Sequence, residues 1–242
     1  LFHLGLLFVL AAWIYRYFDA PPRTRRLFLL MTMSVSILTL QKLQPFLGNP
    51  LESVQTVKAL VFFHLAFLCT VGLYLGGGRT RSVDNAYQIL KNPMVYFFGI
   101  GFVLAGLGTT LPNEILEFID SLYKVMIPLS LVVMGLMLGR YVYFFQMQEY
   151  GLLFGPLLVC IVFQLFLSPL LAWIITHMMG FEDIELQRAL ILSSGAPSGI
   201  LAALIACVYG RSNERRFAIL CVFLTTILSM ATLPFWFYLL NR

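Results

Sequence analysis

The chain has 242 residues, of which 60% are hydrophobic and 11% charged, and its mean hydropathy is +0.88. That composition excludes an ordinary soluble globular domain. The net charge of +5 is divided among several short polar joints, so it gives no reason to expect nucleic acid as a partner.

Eight apolar segments follow one another: Leu1–Tyr17, Leu27–Leu47, Val54–Leu75, Pro93–Thr110, Leu122–Leu138, Tyr150–Met179, Ala189–Tyr209 and Phe217–Leu240. Roughly 20 apolar residues at 1.5 Å rise cross a hydrocarbon core, so the pattern predicts an all-α, polytopic, multi-pass membrane protein. Basic joints carry Arg16, Arg23, Arg25 and Arg26, then Arg79, Arg81 and Lys91, then Arg140, then Arg211, Arg215 and Arg216. The joints between them are acidic, with Glu114, Glu117 and Asp120, then Glu182, Asp183 and Glu185. Basic joints favour the cytoplasm, which puts Leu1 and Arg242 outside in a plasma or bacterial cytoplasmic membrane.

The second segment carries Gln41, Lys42 and Gln44 just before Pro45. A Lys at the centre of a span costs about 2.5–3.5 kcal/mol on insertion scales. Two readings stay open. Lys42 serves a solute or titrates as a coupling group at mid-membrane, or it lies roughly 7.5 Å beyond the midpoint and snorkels outward. His64 in the third segment is a second coupling candidate, and Gln164 in the sixth is similar in kind. For both, a side chain satisfied by a neighbouring helix is the plainer account.

Gly135 and Gly139 form a GxxxG pair near Gly99, Gly101 and Ala105, which suggests tight packing or a homodimer through these helices. Trp13, Trp173 and Trp236 read as interfacial anchors. Thr225 and Thr226 can bond their own helix backbone. Cys69, Cys160, Cys207 and Cys221 are scattered singly, as buried packing thiols are.

The seventh segment is the most informative. Its middle reads Ser193-Ser194-Gly195-Ala196-Pro197-Ser198-Gly199. Pro197 has no N–H and its ring clashes one turn back, while the glycines weaken the helix further. A break at mid-membrane is tolerated only where protein buries it or it lines a polar cavity. A half-helix N-terminus there presents N–H groups and about half a positive charge, which suits an anion. Ser193, Ser194 and Ser198 can add hydroxyls, and Gly195 and Gly199 let a ligand approach the backbone. Close helix packing is the alternative for these small residues. No HExxH, GxSxG, Walker loop or paired aspartates occur, so neither an enzyme, an ATP-driven pump, a cofactor nor a metal is expected.

Lys91-Asn92-Pro93, then Ile127-Pro128-Leu129-Ser130-Leu131 with Gly135, then Ala196-Pro197-Ser198-Gly199, Tyr209-Gly210 and Thr225 to Pro234 form an ordered series. That series resembles the auxin efflux carrier family, which includes the plant PIN-like auxin carriers and bacterial carriers of malate and related anions. The likeness covers 79–242 as a second inverted repeat, helices six to ten. Residues 1–78 resemble helices three to five of the first repeat more loosely, so that eight of ten transmembrane helices are expected within one membrane domain, with two preceding Leu1. The resemblance implies an inverted-repeat transporter with crossed broken helices, of the NhaA and bile-acid-symporter kind. It implies a small organic anion held where Leu27–Leu47 crosses Ala189–Tyr209, and elevator-type alternating access. Ser34 stands where the family pattern has Asn and Gln41 where it has Pro, so the first crossover departs from the family. The expected substrate-binding residues are Ser193, Ser194, Gly195, Pro197, Ser198, Gly199, Ser34, Gln41, Lys42 and Gln44. A bile-acid/sodium-symporter-like carrier and a sensor that has lost transport are the rival readings.

Overall fold

In this computed structural model the described residues are 9–13, 22–33, 72, 93–108, 112–142, 150–180, 184–210 and 212–240, with no strand among them. The helices are α1 (Pro22–Met33), α2 (Pro93–Gly106), α3 (Asn113–Val142), α4 (Tyr150–Val162), α5 (Ser168–Met178), α6 (Ile184–Ser194), α7 (Ile200–Tyr209) and α8 (Ser212–Leu240). A π-helical turn, Phe163–Leu167, joins α4 to α5 without interrupting the rod. Among the described residues, 154–178 and 212–240 are long and apolar enough to cross a membrane.

The helix ends follow from local chemistry. Pro93 opens α2, where its missing N–H is one the helix would leave unpaired anyway. Gly108 and Gly180 both take φ near +62, the left-handed turn that ends a helix and that glycine adopts without a Cβ penalty. The acidic joint after the fourth segment proves to be helical. Glu114, Glu117 and Asp120 all lie within α3, and Glu114 stands in its first turn, where negative charge suits the helix dipole. Asp120 also pairs with Lys124 one turn on, at 2.7 Å on the exposed surface.

Pro169 explains the π-helical turn. It cannot offer the N–H that Leu165 would receive four residues on. The chain takes up the difference by widening one turn, and the Ser168 N–H bonds five residues back to Phe163. The Leu165 carbonyl is taken instead by the indole N–H of Trp236, at 3.0 Å. Trp236 is therefore no interfacial anchor. It is 5% exposed, against 57% for Trp13 and 43% for Trp173.

Burial concentrates on α1 and the chain from α4 to α8. Leu27 to Met31 of α1 pack against Ala202, Ala203 and Ala206 of α7 and against Phe217 and Cys221 of α8. Phe28 meets Phe163 edge to face, with centroids 6.2 Å apart. A smaller cluster gathers Ala172, Ile191, Leu192 and Ala196 around Trp236. In contrast, α2 and α3 present apolar side chains such as Phe97 and Leu136 outward. The glycine pairs of these two helices do not pack on one another: among the described residues nothing lies within 4 Å of a Cβ placed on Gly99, Gly101, Gly135 or Gly139.

Gly210 closes α7 by close approach, in an ordinary extended conformation. Its N–H bonds Ala206 at 2.7 Å, and its carbonyl accepts Arg215 Nε at 2.8 Å. A Cβ there would collide with the Ala206 carbonyl oxygen and press on the Glu214 side chain. Gly210→Ala is expected to lower stability by about 1–3 kcal/mol, read as a fall in unfolding temperature in detergent. An unchanged transition would refute this account of the α7–α8 joint.

Candidate functional site

The seventh apolar segment is two helices. α6 ends at Ser194 and α7 begins at Ile200, with a five-residue break, 195–199, between them. Pro197 sits at its centre, and every residue from Ser193 to Gly199 is buried. The carbonyl end of α6 and the amide end of α7 thus both lie at this buried break. Gly199 is extended, at φ −72 and ψ 137, and as a glycine it has no side chain of its own with which to cap α7. The N-terminus of α7, with its aligned amides and partial positive charge, starts at this buried break.

Three other helical stretches hold the break in place. Gln164 of the π-helical turn is fully buried and donates its Nε2 to the Ala196 carbonyl at 3.1 Å. Thr225 of α8 accepts the Ser198 N–H at 3.3 Å while donating to the Cys221 carbonyl at 2.7 Å. Ser198 Oγ donates to the Met31 carbonyl of α1 at 3.1 Å. That last bond joins the second apolar segment to the seventh across 167 positions. The first two satisfy backbone groups that the break leaves without helical partners, since bare polar groups in an apolar layer cost several kcal/mol apiece, and the third ties the break to α1.

The serines divide by role. Ser193 and Ser194 hydroxyls donate to their own helix, at Leu190 (2.9 Å) and Ile191 (2.7 Å). Towards a ligand they present lone pairs, and donation falls to the backbone amides at the start of α7. Gly195 lies against the Pro169 ring: a Cβ would sit 3.4 Å from its Cγ. The proline that widens one segment and the first residue of the break in the next thus lie side by side.

Of the expected site residues, Ser193, Ser194, Gly195, Pro197, Ser198 and Gly199 come together in this break. Ser34, Gln41, Lys42, Gln44 and His64 lie outside the described residues; α1 ends at Met33, one position before Ser34. Sequence reasoning gave little weight to Thr225, whose hydroxyl does bond its own helix but also holds the Ser198 amide. A signal was present: Thr225, Ser229 and Thr232 recur at helical spacing along one buried face of α8. Gln164 follows the plainer account, a side chain satisfied by a neighbouring segment, and that neighbour is the break itself.

A buried break inside an apolar helix fits a membrane transport protein, and comparison with known proteins agrees. Residues 79–237 match the family described as membrane transport protein, and the chain belongs to that family. It is also 25% identical over 183 residues to an uncharacterized transporter of Methanothermobacter thermautotrophicus, covering 75% of this chain and 55% of that protein. The chain thus spans about half the length of the curated relative it matches.

Proposed function

We propose that this protein is a secondary carrier of a small organic anion, an auxin-like indole acid or a dicarboxylate such as malate. The observation that carries the reading is the buried break at 195–199, from which the N-terminus of α7 starts. Backbone amides at a helix start bind anions without a buried cation, and discontinuous helices at mid-membrane are where transporters hold solute. The bond from Ser198 to Met31 supports a crossover between the first-half and second-half helices. On this reading residues 1–78 and 79–242 are parts of two inverted repeats, and the substrate moves by elevator-type alternating access. Ser34, Gln41, Lys42 and Gln44 complete the site from the first repeat, and Lys42 or His64 couples transport to protons. α2 and α3 belong to the scaffold, where a homodimer contact would form.

Uptake into proteoliposomes, with indole acids and dicarboxylates under imposed pH and Na⁺ gradients, tests this. The expected result is saturable uptake of one anion class, independent of Na⁺. Uptake driven by Na⁺ would favour a bile-acid-symporter-like carrier. Specific binding with no flux for any anion would sink the carrier reading and leave a sensor.

A further inference from the structure

The carrier reading leaves one pair of buried nucleophiles unused. Cys160 of α4 and Cys221 of α8 are both fully buried, with their sulfurs 3.1 Å apart. They are 61 positions apart in the chain, so the fold brings them together. Singly scattered in sequence, these two thiols are neighbours in space. A disulfide bond is about 2.05 Å long, so closing one asks the sulfurs to approach by about 1 Å.

Cys221 is also tied to the break by two routes. Its Sγ lies 3.7 Å from Ser198 Oγ. Its carbonyl accepts the Thr225 hydroxyl, and the same Thr225 oxygen receives the Ser198 N–H. A displacement of Cys221 towards Cys160 therefore acts on both the hydroxyl and the amide of Ser198.

From these contacts we infer that Cys160 and Cys221 form an oxidisable dithiol, a modification site whose disulfide ties α4 to α8 and shifts the Ser198 anchor of the break. The oxidant is a peroxide, which is small and uncharged and so enters an apolar layer. One cysteine sulfur attacks a peroxide oxygen, the O–O bond breaks, and the released hydroxide leaves as water with that thiol's proton. The sulfenic acid so formed is attacked by the second sulfur. Its S–O bond breaks, and the departing hydroxide takes the second thiol's proton as another water. Two thiols lose two electrons, and one peroxide is reduced to two waters.

The effect on flux rests on the carrier reading; the covalent bond does not. The full-length protein in proteoliposomes is treated with hydrogen peroxide, digested without reductant and mapped by mass spectrometry, with anion uptake measured in parallel. The expected result is a linked peptide pair carrying Cys160 and Cys221, two hydrogens lighter than the separate peptides. Uptake falls severalfold, and dithiothreitol restores both the peptides and the flux. Cys160→Ala is expected to keep the reduced-state flux and lose both the link and the response. Oxygen added to the two cysteines separately, with no linked pair, overturns the inference. A linked pair with unchanged flux overturns its regulatory part. Absence of flux in the reduced protein for every anion counts against the carrier reading instead, and the peptide map still decides the dithiol.

Discussion

Pro197→Ala is expected to bring anion uptake close to background while the protein still folds. Alanine supplies an N–H able to reach the Ser193 carbonyl one turn back, and it is the best helix former. That carbonyl now receives the Ala196 N–H at 3.2 Å, the last bond before the break. Restoring a helical path through 195–199 would merge α6 with α7, and the amide end of α7 would disappear. The dipole at a partly buried helix end is worth about 1–2 kcal/mol to a bound anion. Anion affinity should therefore fall about fivefold to thirtyfold. Uptake measured beside the elution profile and unfolding temperature separates lost transport from lost fold. A variant that folds and transports at the original rate would place the solute elsewhere in the molecule.

Trp236→Phe should produce the larger loss of stability. The ring is retained, so apolar burial is largely kept, but the indole N–H that serves Leu165 is gone. Pro169 prevents the ordinary backbone donor from taking over. A buried carbonyl left without a donor costs about 1–3 kcal/mol. Trp173→Phe is the control: that ring is 43% exposed, and its replacement should stay within about 0.5 kcal/mol. Thermal unfolding of both variants in one detergent distinguishes the two. Equal shifts would show that the Trp236 bond contributes nothing particular.

What the sequence made legible was the break; what it hid was the support around it. Pro197 between two glycines acts locally, through a missing N–H and a ring clash, so spacing alone locates the interruption of α6 and α7. The partners of that interruption are distant in the chain. Met31 lies 167 positions from Ser198, Gln164 lies 32 from Ala196, and Thr225 lies 27 from Ser198. No periodicity within one segment reports such pairings. Trp236 illustrates the same limit: near a helix end, it looks like an anchor, and only the carbonyl left waiting by Pro169 explains why it turns inward. The helical state of Glu114, Glu117 and Asp120 was hidden for another reason. Charge placement tells which side of a membrane a stretch occupies, not whether that stretch is coiled into a helix.

The widened turn at Phe163–Leu167 has a consequence for length changes in this region. Each α-helical residue turns the chain by about 100°, so a turn that holds an extra residue resets the angular phase of everything after it. Cys160 points at α8 from before the reset, and Pro169 meets Gly195 from after it. Deleting one residue within 163–167 would therefore do more than shorten the rod. It would swing Pro169 off Gly195 while leaving Cys160 where it is, uncoupling the two halves of a single span.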